Sequence, residues 1–218
     1  MLNNYSDSTQ IMDRRKPLQK RAKVSVNAII EAGFVSLATH GISSTTTNHI
    51  AEIAGISPGT LYQYFANKEA VYLAMERRFV DDILAMLDRI TPEFIQIDIR
   101  GGATLLLNGF TNMLIQDEGR YLKYARQTMH GYGTSLSQNA HEVEQKLHAI
   151  IMQYIMHHPE LMRIRSIPTF NYLILNGCVL IIVRYLSDAN PAITLEALIN
   201  GLVNMAVRYI AGELEDAP

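Results

Sequence analysis

Residues 45–68 read TTTNHIAEIAGISPGTLYQYFANK, and this stretch decides the fold because its helix start and stop signals are all local. Thr46 suits the cap of a helix whose third residue is His49. Ile50, Ala51, Ile53 and Ala54 give that helix a compact apolar face, and Gly55 supplies the left-handed residue that ends it. Ser57 then caps a second helix with Pro58 at its first position, where the missing N–H costs nothing. Two short helices separated by about three residues have the spacing of a helix-turn-helix. In the second helix Leu61 and Phe65 fall four apart and face the core, which leaves Thr60, Gln63 and Tyr64 outside. Gly59 lets the backbone approach a partner closely. The stretch points to sequence-directed DNA binding, although similar Ala-Gly turns join short helices in unrelated enzymes.

The flanks make the signal specific. Upstream, Val26, Ile29, Ile30, Gly33, Phe34 and Leu37 recur at helical spacing and end at Gly41. Downstream, Asn67-Lys68-Glu69 opens a long helix with Val71, Met75, Phe79, Ile83, Met86 and Ile90 along one side. The order of these elements, and the wording TT, IA, AGIS, GTLY, YF and NKE along residues 46–69, resemble the TetR family of bacterial transcriptional regulators. The resemblance covers roughly residues 20–80; beyond residue 90 only length and helical character agree.

Composition fits this reading. The chain has 218 residues, 48% of them hydrophobic, enough for a good core. Its one cysteine, Cys178, excludes an internal disulfide framework and suits a reducing compartment. Residues 1–16 are polar and show no secretory signal, and the apolar run 170–186 is short and interrupted by Asn171, Asn176 and Arg184. The net charge of −2 divides unevenly: residues 1–68 carry seven Lys/Arg against four Asp/Glu, and the remainder twelve against seventeen. Arg14, Arg15, Lys16, Lys20, Arg21 and Lys23 follow one another without an acid between them, so phosphate is attracted to that end.

The rest reads as helix: 103–115, 119–130 and 136–158, then 169–187 and 193–213 either side of the turn Asp188-Ala189-Asn190-Pro191. No strand alternation and no repeat is visible. The expected class is all-α, a three-helix DNA-binding domain joined through a long helix to a helical ligand-binding and dimerisation domain. The expected boundaries are a basic arm at 1–19, the DNA-binding domain at 20–68 and the regulatory domain at 69–218. The last two helices carry more apolar surface than one subunit readily buries, with Leu173, Gly177, Leu180, Leu195, Leu198, Leu202 and Tyr209 as the candidate self-association face. Met and aromatic side chains crowd the middle of the chain and suit either a plain core or a pocket for a mostly apolar ligand. The histidines lack the spacing and acidic support of a helical zinc site, and no phosphate loop, nucleophile elbow or cysteine pair is present. Neither metal, cofactor nor enzymatic activity is expected.

The family resemblance implies the roles. Thr46, Thr47 and Asn48 would contact phosphates or a base edge, Pro58, Gly59, Thr60, Tyr62 and Gln63 would lie in the major groove, and Tyr64 and Lys68 would grip the backbone. With no Arg in the first turn of either motif helix, thymine methyls for Pro58 and Thr60 and an adenine for Gln63 are the expected targets. The resemblance also implies a homodimer on a palindromic operator in double-stranded DNA. It further implies a small, mostly apolar effector held near Phe110, Met113, Tyr121, Tyr124, Gln127, His130, Tyr154 and Tyr172. The expected setting is the bacterial cytoplasm, at the nucleoid when DNA-bound, with no membrane. A ligand-responsive repressor is the leading reading; an activator, or a DNA-bound protein-interaction factor without a small ligand, uses the same motif.

Overall fold

The computed structural model describes residues 7–131, 136–164, 167–173 and 177–215, with side chains from residue 21 onward except 129–131, 136–140 and 171. Every regular element among the described residues is helical, as the sequence leads one to expect. In order they are α1 (Asp7–Ser44), α2 (Thr47–Ile53), α3 (Pro58–Tyr62), α4 (Lys68–Phe94), α5 (Ile99–Gly131), α6 (Leu136–His157), a 3-10 helix (Pro159–Arg163), α7 (Ile167–Leu173), α8 (Val179–Ser187) and α9 (Leu195–Glu215). The chain folds as two compact units, Met1–Met75 and Glu76–Pro218.

In the first unit the periodicity of α1 becomes a buried face. Ile29, Phe34 and Leu37 pack in a core that includes Ile50, Ala51, Leu61, Val71 and Met75, each fully buried aliphatic side chain contributing about 1.5–3 kcal/mol. Gly33 is required there by contact: a Cβ at that position would lie 2.6 Å from Met75 Sδ. The α1 helical conformation breaks at Gly41, with φ 77°. Its start is earlier than the periodicity suggests, because the backbone from Asp7 to residue 19, read as an arm, is helical. Ile53 departs from its expected inward position and is exposed, since it lies at the edge of the stripe formed by Ile50, Ala51 and Ala54. The segment Arg21–Ser44 is long and apolar enough to cross a membrane by length and composition, and its apolar side is the one that packs in this core.

In the second unit α4 runs through Pro92 to Phe94. The Thr91 hydroxyl donates to the Leu87 carbonyl at 2.6 Å beside the site where the proline lacks its N–H. Gly101 and Gly102, just ahead of the helix expected from residue 103, lie in the first turn of α5, where Asp98 Oδ1 accepts from the Gly101 N–H at 2.8 Å. The break in α5 comes at Gln116–Gly119, close to the boundary expected from sequence. Asp117, Glu118 and Gly119 all take left-handed φ values of 48°, 58° and 69°. α5 packs on α8 and α9, while α6 packs on the 3-10 helix and α7. The expected helix 169–187 is represented by α7 and α8; residues 174–176 between them lie outside the described set.

Candidate nucleic-acid interface and apolar cavity

The helix-turn-helix is held by its caps. Thr46 Oγ1 accepts from the His49 N–H at 3.2 Å, and Ser57 Oγ accepts from the Thr60 N–H at 3.1 Å. Gly55, with φ 68°, turns the chain between α2 and α3. Leu61 is wholly buried beneath α3 and Phe65 half-buried, so the opposite face is left to solvent. Asn48, Pro58, Gly59 and Gln63 are exposed, as are Tyr62 at 53% and Tyr64 at 37%, whereas Thr60 is half-buried. Each of these carries donors, acceptors or small apolar groups at a convex helical surface, which is the geometry of a groove reader.

Three of the expected contact residues, Thr47, Tyr62 and Lys68, have side chains bonded to partners distant in the sequence. Thr47 Oγ1 and Tyr62 Oη share a hydrogen bond of 3.0 Å that spans the turn from α2 to α3. Lys68 Nζ donates to the Thr45 carbonyl at 3.3 Å, and Tyr72 Oη to the Ile42 carbonyl at 3.0 Å, so the start of α4 is tied to the end of α1. His40 and His49 stack with ring centroids 4.2 Å apart, a contact that no periodicity marks. Arg21 and Lys23 are exposed; the side chains of Arg14, Arg15, Lys16 and Lys20 lie outside the described residues.

Within the second unit there is a cavity of about 100 Å³. Leu87 and Ile90 of α4, Leu106 of α5, Ile151 and Tyr154 of α6 and Ile210 of α9 are on its wall. Gly102, Ala103 and Ala206 also line it; a Cβ at Gly102 would lie 3.0 Å from the Phe94 ring, which packs against that glycine. No lining residue is charged. The Tyr154 hydroxyl donates to the Ile97 carbonyl at 2.9 Å, and the buried Cys178 thiol is held in its neutral form because desolvation raises its pKa.

Of the residues expected at an effector site, Tyr154 is on this wall, and burial, with smaller contributions from Asp98 and Glu160, raises its pKa to about 12. Phe110 packs against the cluster of Met86, Leu87, Leu147 and Ile150. Met113 is buried, Gln127 is half-buried and Tyr172 is 68% exposed. Tyr121 and Tyr124 flank Phe79 at 4.9 and 5.6 Å between ring centroids. The Tyr121 hydroxyl donates to Asp82, and its ring lies under the Arg120 guanidinium at 4.6 Å. Burial pushes both phenols well above their ordinary pKa. The side chain of His130 lies outside the described residues. Sequence reasoning missed the Leu and Ile lining because these types fill any core; the signal available was the small residues Ala103 and Ala206 on long helices.

The candidate self-association residues divide. Leu173 and Leu180 are about half exposed, with Ile181 and Met205 also exposed, and a Cβ at Gly177 or Gly201 would meet nothing within 4 Å. Leu195, Leu198 and Tyr209 are half-buried, with Tyr209 against Phe170 at 5.8 Å. Leu202 is buried and faces the cavity. Among the described residues no three His, Cys, Asp or Glu side chains converge as metal ligands.

Residues 29–75 match the family model described as "Bacterial regulatory proteins, tetR family". Among curated proteins, the HTH-type transcriptional regulator RutR of Escherichia coli is 37% identical over 67 residues, 31% of this chain and 32% of RutR, so the match spans about a third of that relative's length. A TetR-family regulator from Marinobacter aquaeolei has the same fold, with a TM-score of 0.63 at 21% identity over 86% of this chain and 96% of that one. So does FadR of Bacillus subtilis, solved in complex with stearoyl-CoA, with a TM-score of 0.61 at 16% identity over 84% of this chain and 97% of that one. The match to the tetR-family model is confined to residues 29–75, and over the rest of the chain the likeness to the solved TetR-family structure is one of fold.

Proposed function

We propose that this chain is a DNA-binding transcriptional repressor that acts in the bacterial cytoplasm as a homodimer on a palindromic operator and releases it when an apolar effector fills the cavity of the second unit. The observation that carries the reading is the outward face of α3, fixed by the Ser57 cap and Leu61, with Pro58, Gly59, Tyr62 and Gln63 presented together. Gln63 is the base reader, Pro58 and Thr60 make apolar contact with thymine methyls, and Thr46, Thr47, Asn48 and Tyr64 set the register on phosphates. Lys68 adds charge near the backbone while anchoring the Thr45 carbonyl. The exposed Leu173, Leu180, Ile181 and Met205 supply the apolar face for a second copy, which places two recognition helices on half-sites about 34–36 Å apart.

An effector lowers operator affinity only through a difference in its own affinity for the two states of the protein, so the coupling is reciprocal. α4 gives its first turns to one unit and its remainder, including the cavity wall, to the other. The test is selection of operator sequences from a random duplex pool with the full chain, followed by titration of the recovered site. A palindrome bound by a dimer is expected, with affinity falling about 5- to 150-fold at saturating effector. Recovery of sequences with no common element would overturn the DNA-reading assignment.

A further inference from the structure

We propose that His40 and His49 form a paired site for one proton and not two, and that the charge it carries strengthens the hold of the first unit on DNA phosphates. This rests on the reading of Thr46, Thr47 and Asn48 as phosphate contacts and adds to them a residue from the end of α1.

The two rings lie face to face, with centroids 4.2 Å apart and 18° between their planes. What each Nδ1 meets divides their roles. His40 Nδ1 lies 3.1 Å from the Ser36 carbonyl, which can only accept, so that nitrogen carries the hydrogen and Nε2 of the exposed residue is left to take a proton. His49 Nδ1 is buried and has no hydrogen-bond partner among the described residues, so a second proton on that ring would place a charged N–H where nothing accepts it.

The backbone reinforces the division. His40 stands just before Gly41, where the helical conformation of α1 breaks and the end carbonyls favour a cation. His49 is the third residue of α2, whose first turn holds no acidic side chain and whose amide end disfavours a cation. Two charged rings stacked at this separation would repel each other as well. Around the pair, residues 34–44 of α1 include no Asp, Glu, Lys or Arg, and α2 adds the exposed Glu52 one turn beyond His49. α3 adds Tyr62, bonded to Thr47, and the start of α4 adds Lys68 on the Thr45 carbonyl, the exposed Glu69 and Tyr72 on the Ile42 carbonyl. Asn48 precedes His49, and Thr46 caps its N–H, so a charge on His40 stands one ring away from the residues proposed to meet phosphate. Attraction between charges reaches about 8–10 Å at ordinary ionic strength.

The experiment has two arms, both on the full-length protein. In the first, the imidazole signals are followed by NMR from pH 8 to pH 5, with His40→Gln and His49→Gln identifying the pair. The His40 signal should move with pH while that of His49 changes little, and equal movement of both would overturn the proposal. In the second, binding to a mixed-sequence duplex of about 30 base pairs is measured at pH 6 and pH 8 over a range of salt, since any duplex presents phosphates. Binding should be tighter at pH 6, by at most about tenfold per pH unit for each subunit, with the salt slope steeper by about one per subunit. His40→Gln should remove both differences, and His40→Lys should give the tighter binding at either pH. His49→Phe, which keeps a ring to stack on, should preserve them, and if it fails to fold the two His40 variants decide. Tightening at low pH that survives His40→Gln would overturn the proposal. Binding without pH dependence would overturn it and leave the DNA reading standing, whereas no binding to any duplex at either pH would remove both.

Discussion

The two units bury similar kinds of side chain to opposite ends. In the first, Ile29, Phe34, Leu37, Ile50, Leu61 and Val71 fill the interior, and Gly33, which has no side chain, is pressed against Met75. In the second, a cavity remains among Leu and Ile side chains. Dense packing keeps the outward face of α3 rigid, while the cavity wall of the second unit forgoes dispersion contacts. The difference shows why the motif can be read residue by residue and the cavity cannot: DNA geometry constrains a few polar positions, and an apolar guest constrains only volume.

The largest effect that can break this contrast is a core truncation. Phe34→Ala should cost the first unit about 3–5 kcal/mol in chemical denaturation and abolish operator binding. Leu107→Ala, on the cavity wall, should cost the second unit about 2–3 kcal/mol, the low end for such a change, because one side of that leucine already lacks neighbours. Equal costs for the two would remove the distinction. Next in size, Gln63→Ala should reduce discrimination at one base pair per half-site by about 1–3 kcal/mol with the salt slope nearly unchanged. A mismatch series read by competition binding checks this, and a general loss at every position would reassign Gln63 to the backbone.

A smaller effect lies in the caps. Ser57→Ala should destabilise the first unit by about 0.5–2 kcal/mol, read as a shifted denaturation midpoint, and Ser57→Gly by less. The smallest concerns pH. Tyr154 keeps its proton to about pH 12 in the folded chain, whereas an unfolded tyrosine ionises near 10. Folding therefore loses stability as the pH rises from about 10 to 12, and Tyr154→Phe should flatten that loss in the second unit. An unchanged alkaline slope would mean the phenol contributes nothing to it.

Much of the fold was legible because its punctuation is local. Thr46, Gly55, Ser57 and Pro58 mark the motif by short-range hydrogen bonding and φ preference, and all four act as read. The break at 116–119 was visible from Gly119, while α5 begins ahead of the expected residue 103 because the Asp98 cap overrides the helix-breaking tendency of Gly101 and Gly102. At the candidate sites the limits are of another kind. Lys68 and Thr47 find partners that lie distant in sequence, which no periodicity reveals. The aromatic residues drew attention to Tyr121 and Tyr124, but their rings close around Phe79, and the cavity lies instead beside Ala103 of α5 and Ala206 of α9.

The hydrogen bond between Thr47 and Tyr62 has a calorimetric consequence for a DNA reader. A phosphate that takes either hydroxyl exchanges one bond for another, so those two residues add little heat on association and act as a hinge pin already in place. On the proposed role of α3, the enthalpy of operator binding falls on positions with no internal partner to surrender, Gln63 foremost, and the heat released should track sequence at one base pair more closely than the number of phosphates touched.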